Sequence, residues 1–317
     1  MKIKRIGFGI FCLLQWEVCS AQDLQNTTSI NSQLKKIIQS SSLTGIYSYS
    51  NFKYDTSTTT MTNSYKGDSN LYLIGSNNLT ISKDLYGSLF FYRSNSHVDF
   101  SQSTLAITKQ KINGNTVMGY LLKQVKSSLY LTLLGGYGQN TLDYVTLATF
   151  NTASNPIGYA KGRSNNWFTN LKAFYNHTWG NVNLTANVGA LYSQANQNAV
   201  NYYSVTSPLP IMLPSVNTKA TFIMEGAELN YTKHSLIQPF VNGSLLQVAQ
   251  YSTSNPALAV FSTPTQNFNL DQNGFEVGGG ISLKYKKAVL RFEQQYIQRG
   301  NVYHNNLSIA SITVAIG

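Results

Sequence analysis

The chain has 317 residues, of which only 11% are charged, yet its formal net charge is +11 and it holds 21 tyrosines and 15 phenylalanines. Ordinary globular domains carry about 25% charged residues, so this composition argues against a water-soluble enzyme surface. It suits a barrel in lipid, which needs aromatic side chains at both interfaces and can line its lumen with uncharged polar groups.

In chain order, Lys2, Lys4 and Arg5 precede an uncharged apolar run from Ile6 to Leu14, and Cys19-Ser20-Ala21 supplies small residues before Gln22. This pattern predicts an export signal over residues 1–21. The apolar run is about nine residues, too short to cross a bilayer as a helix. Val18 and Glu17 ahead of Cys19 argue against a lipoprotein site. Both cysteines, Cys12 and Cys19, fall inside the signal, so the exported chain is expected to form no disulfide and no thiolate site. That suits passage through an oxidising periplasm. No later stretch approaches the roughly 18 apolar residues of a membrane helix.

Without Lys2, Lys4, Arg5 and Glu17, the remainder has 20 basic and 11 acidic residues. They are scattered, with no basic helix or nucleic-acid motif. Lipopolysaccharide phosphates, or an anion-tolerant pore, are better partners for them in an exported chain.

Residues 22–42 contain a short helical candidate. Ile30, Leu34, Ile37 and Ile38 recur at helical spacing, Asn31 and Ser32 are possible caps, and Lys35 and Lys36 lie on the other side. At about 1.5 Å per residue such a helix reaches roughly 18 Å, part of the way through a lumen. A frayed tail is the equal alternative, since a dozen residues hold a helix poorly alone.

From residue 43 onward the pattern is period-two alternation. Val182, Leu184, Ala186, Val188 and Ala190 interleave with Asn183, Thr185, Asn187 and Gly189, and Phe275, Val277 and Ile281 interleave with Glu276, Gly278 and Ser282. Successive strand side chains point to opposite faces, so each segment has one apolar and one polar face. These runs reach about ten residues, the length a tilted strand needs to cross a bilayer. Short connections near 82–84, 125–127, 179–181, 232–234 and 285–287 alternate with long ones near 56–67, 97–113, 145–164, 203–217 and 252–270. The expectation is an all-β, transmembrane antiparallel β-barrel of about twelve strands, beginning near 43–55 and ending near 304–316. A single barrel domain over 43–317 accounts for the rest of the chain.

The stretches Leu71–Ser82 with Leu85–Tyr92, Met118–Leu122, Leu129–Gly138, Leu184–Tyr192, Ile237–Val241 and Phe275–Tyr285 resemble the β-domain of autotransporters. The likeness covers roughly residues 43–317 and rests on pattern and on glycine and aromatic placement. It implies a twelve-stranded barrel with a helix through its pore, tethering an N-terminal passenger for surface display. Here the passenger is expected to be absent. The end Ile312-Thr-Val-Ala-Ile-Gly317 also lacks the terminal aromatic residue that the family presents to the outer-membrane assembly machinery, and its alternation slips phase near Ala310, as at a bulge.

Catalytic signals are sparse. His97, His177, His234 and His304 show no metal-ligand spacing, and His97 with Asp99 is a single pair without a second acidic dyad. No nucleophile elbow or phosphate loop occurs. The expectation is a protein that is not an enzyme and has no cofactor. Candidate lumen charges are Glu276, Arg291 and Glu293, which fall on the polar phase. They pair among themselves, hold Lys35 and Lys36, or set ion selectivity. Glu225 has an ambiguous phase and Glu228 stands in a similar strand. A candidate surface loop is framed by Pro208, Pro210 and Pro214 around Ile211 and Met212. A binding surface and a fold into the barrel mouth are equally open there. Trp167 and Trp179, near opposite ends of one strand, fit aromatic girdles. The leading functional expectation is a surface-exposed outer-membrane barrel for adhesion or display through its long loops. The alternatives are a passive pore for small solutes, or a remnant translocator acting for another protein.

Overall fold

A computed structural model describes residues 41–55, 63–102, 109–147, 156–205, 207–254 and 273–316. The expected export signal and the helical candidate with Lys35 and Lys36 lie outside these residues.

The strands are β1 (Ser42–Asp55), β2 (Asn63–Ser82), β3 (Leu85–Gln102), β4 (Lys109–Lys126), β5 (Leu129–Leu147), β6 (Pro156–Trp179) and β7 (Val182–Gln197). They continue as β8 (Val200–Ser204), β9 (Ser207–Leu213), β10 (Val216–Tyr231), β11 (Ile237–Ser254), β12 (Gly274–Tyr285), β13 (Ala288–Arg299) and β14 (Tyr303–Ala315). Twelve of them form the wall, each pairing antiparallel with its neighbours, and the short β8 and β9 stand outside the ring. Closure is made by β1 against β14, from Ser42 opposite Ala315 to Tyr54 opposite Tyr303. A closed wall leaves none of its twelve strands as a free edge. A row of paired residues that starts at Asn230, passes Glu293, Leu71 and Ser164, and goes once round the wall returns to β10 at Val216, a stagger of fourteen residues. That stagger is the shear that tilts the strands.

At one end the turns are tight: Lys83–Asp84, Ser127–Ser128, Gly180–Asn181 and Lys286–Lys287. Asp84, Gly180 and Lys286 take positive φ there, at 60°, 56° and 51°, the backbone twist that two-residue hairpins require. At the other end the strands run long, to 24 residues in β6.

The outward face changes character along the strands. Near the tight turns the outward positions are apolar: Leu43 and Tyr47 on β1, Ile74 on β2, Leu89 and Phe91 on β3, Leu131 and Leu133 on β5. Toward the far rim the same outward face becomes polar, with Asn51 and Lys53 on β1, His97 and Asp99 on β3, and Lys109 and Lys111 on β4. The inward face of the rim holds buried Phe52, Tyr54, Val98, Ile112, Leu142 and Tyr144. The barrel therefore has an outward apolar belt below and a rim built like a water-soluble barrel above. Trp167, 5.0 Å from Tyr192, marks the upper border of the belt, and Trp179 and Tyr285 mark the lower.

Three expectations are corrected. The described residues of 97–113 and 145–164, namely 97–102, 109–113, 145–147 and 156–164, are strand, because polar outward residues above the belt still alternate with buried inward ones. The phase slip near Ala310 is no bulge: both registers of β14 run through it unbroken. Leu307 and Ile309 are buried on the inward face while Ile312 and Val314 lie on the outward belt.

The third correction concerns 203–217, expected as one loop. There β8 pairs with β9, Val200 opposite Leu213, and also with the top of β6, Tyr159 opposite Tyr203. Since Gln197 is opposite Val216, β7–β8 and β9–β10 are two arms of one hairpin, interrupted at Asn198–Ala199 and Pro214–Ser215. Proline cannot donate to a ladder, which accounts for the break at Pro214. Pro208 and Pro210 are tolerated because β9 ends the sheet as an edge strand.

Candidate functional site in the barrel lumen

The buried charged side chains of the described residues are Lys172, Glu228, Glu276, Arg291, Glu293 and Arg299. All lie on β6, β10, β12 and β13. The inward face of β1–β5 carries none. There Ile46, Leu73, Phe90, Tyr120, Leu122 and Tyr130 are buried, joined by neutral hydrogen bonds from Tyr120 Oη to Asn77 Oδ1 (3.0 Å) and from Asn77 Nδ2 to Thr44 Oγ1 (2.8 Å). The lumen is thus two-sided, with one charged sector and one uncharged sector.

Arg291 organises the charged sector. Its Nη2 donates to Glu228 Oε2 and to Glu293 Oε2, both at 2.9 Å, and its Nε donates to Glu293 Oε2 at 3.0 Å. The guanidinium plane lies over the Phe240 ring, 3.3 Å from its centroid, where the ring's negative face attracts a cation. Glu293 Oε1 accepts further bonds from Gln295 Nε2 at 2.7 Å and from Asn242 Nδ2. Every charge here is buried and answered, as a low-dielectric setting demands. The backbone makes the room: a Cβ at Gly280 would lie 2.7 Å from Phe240 Cζ and overlap the Phe292 carbonyl oxygen. Beside the network lies a cavity of about 30 Å³, lined in part by Lys172, Asn187, Glu228, Asn242 and Glu276, enough for about one or two waters.

Glu276, Arg291 and Glu293 thus point into the lumen, and Arg291 and Glu293 are brought into contact. The sequence pattern did not place Glu228, Asn242, Phe240 and Lys172 in this sector. Glu228 was obscured because β10 has large apolar residues on both faces, Phe222 and Met224 inward, Ile223 and Leu229 outward. The ambiguity of Glu225 is resolved: it lies between inward Met224 and Gly226 and faces outward. The prolines are not with this site: Pro208, Pro210, Ile211 and Met212 belong to β9 at the rim and Pro214 to the break below it, with Met212 70% exposed. His97 is on the outer wall, its Nδ1 3.6 Å from Asp68 and paired there rather than with Asp99. His304 also faces outward and meets Tyr296 Oη at 2.7 Å. Among the described residues no three His, Cys, Asp or Glu side chains gather as metal ligands.

Comparison with known proteins adds to this geometry. Residues 41–292 match the autotransporter β-domain family. The fold resembles the translocator domain of autotransporter NalP from Neisseria meningitidis, with a TM-score of 0.68 at 12% identity, over 95% of this chain and 98% of that one. It also resembles the β-domain of the Bordetella autotransporter BrkA, with a TM-score of 0.60 at 13% identity, over 87% and 99%. The transport unit of AIDA-I from Escherichia coli gives a TM-score of 0.55 at 10% identity, over 92% and 97%. No curated protein matches the sequence.

Proposed function

This chain belongs to the autotransporter β-domain family, whose fold is that of a bacterial outer-membrane protein, and from that premise we propose an outer-membrane barrel that displays its rim at the cell surface and catalyses no reaction. The observation that carries this reading is the length of the strands beyond the apolar belt. At about 3.3 Å per residue and a tilt of about 40°, a strand as long as β6 stands roughly 60 Å tall, against a belt of about 25 Å. Much of the wall and all long connections then project on one side. The hairpin β8–β9 is the part of this rim best suited to contacts, with Val205, Leu209 and Met212 exposed and Tyr159 stacked on Tyr203 at 5.3 Å. Outward lysines of the rim, such as Lys53 and Lys111, suit lipopolysaccharide phosphates. The two-sided lumen suits an amphipathic segment such as residues 22–42, with Leu34, Ile37 and Ile38 for the uncharged sector and Lys35 and Lys36 for the carboxylates.

The test is topological. Single cysteines at Met212 and at Asp84 are offered a membrane-impermeant maleimide on intact cells. Labelling at Met212→Cys but not at Asp84→Cys supports display, and labelling at neither removes it. The charged strip along one wall favours a second reading, a passive pore. Planar-bilayer conductance with and without residues 22–42 separates the two, because equal conductance from both forms promotes the pore.

A further inference from the structure

Glu225 is on the outward face of β10, opposite Val188 of β7 and Leu245 of β11. Its outward neighbours Ile223, Val188 and Leu245 are all exposed apolar side chains. It lies six residues above Tyr231, which at about 3.3 Å per residue and about 40° of tilt is roughly 15 Å into a belt of about 25 Å. Among the described residues it has no ion pair and no side-chain hydrogen bond. Around it the wall is low: Ala186 and Ala190 on β7, Ala227 on β10 and Gly243 on β11 share its face. The opposite wall is bulky at the same face, with Ile74, Leu89, Phe91 and Leu133.

We propose that the β7–β10–β11 sector around Glu225 is a docking face within the membrane plane for a membrane-embedded protein that presents a lysine or arginine at mid-depth. This rests on the barrel lying in a membrane as read above. An ionisable group among lipid tails is costly without a partner, and small residues let a partner backbone come close enough to bring one. A second copy of this chain does not fit. A two-fold axis along the membrane normal preserves height, and packing the β7–β10–β11 sector on its own copy would set Glu225 against outward residues of the same height in that sector, Val188, Ile223, Ala227 and Leu245, none of which is a cation.

The probe is a synthetic transmembrane helix with one central lysine, compared with the same helix carrying leucine there. The full chain, labelled at Ser235→Cys in a Cys12→Ser, Cys19→Ser background, shares vesicles with the dye-labelled probe, and association is read by energy transfer. The expected result is at least tenfold tighter association of the lysine helix, lost in both Glu225→Gln and Glu225→Leu. Equal association of the two helices, or discrimination that survives both variants, overturns the proposal. Self-association of the wild type that Glu225→Gln abolishes also overturns it, by seating a second copy there. Failure of the wild type to enter vesicles as a heat-modifiable barrel removes the membrane reading itself, whereas insertion without discrimination removes the docking face alone.

Discussion

Arg291 and Glu228 stand three strands apart in the wall, yet their side chains meet at 2.9 Å inside it. Glu293, on the same strand as Arg291, completes the clamp at 2.9 Å. Removing the cation alone strands two buried carboxylates, so Arg291→Ala is expected to cost about 3–5 kcal/mol. The triple variant Arg291→Met, Glu228→Gln, Glu293→Gln removes the charges together and loses far less. Urea unfolding in lipid vesicles compares them, and equal losses would mean that packing, not charge pairing, sets the effect.

Gly280 leaves the space that the Phe240 ring and the Phe292 backbone occupy. Gly280→Ala should destabilise by about 1–3 kcal/mol, as overpacking does. Gly135→Ala is the control, since a Cβ there meets nothing nearer than 3.8 Å. Its unfolding midpoint should stay at the wild-type value while that of Gly280→Ala falls.

Ile74 and Asn51 face outward on neighbouring strands, one in the belt and one at the rim. In a membrane Ile74→Lys should cost about 2–4 kcal/mol. Asn51→Lys, opposite Asp68, should stay within about 0.5 kcal/mol of wild type. Equal effects of the two on refolding yield and urea midpoint would remove the belt.

Gly180 has φ +56° and nothing within 4 Å of a built Cβ. Gly180→Ala therefore isolates the left-handed backbone cost, expected to be about 1 kcal/mol. The same urea experiment reads it, and a neutral result would show that the β6–β7 turn can change its type.

The wall was legible in the sequence wherever one face is apolar and the other polar, as along Val182–Ala190. The tight turns were legible from short polar breaks such as Trp179–Asn181. The rim was not, because the outward face turns polar there and only the inward face carries apolar residues, so His97, Asp99 and Lys111 read as loop. Lumen membership of Glu276, Arg291 and Glu293 followed from strand phase, but their contacts depend on a register between strands that phase cannot supply. Glu228 and Glu225 differ by three positions and so point to opposite sides, a distinction lost in a strand with Phe222, Ile223 and Met224 in succession.

The change along the outward face has a mechanical meaning. It acts as a waterline painted on the outside of the barrel: sinking would submerge Asn51, Lys53, His97 and Asp99 in hydrocarbon, and rising would bare Leu43, Ile74 and Leu133 to water. With the barrel in a bilayer, as proposed, this pattern sets its depth, and a bilayer thicker or thinner than the belt has to deform around the protein or tilt it.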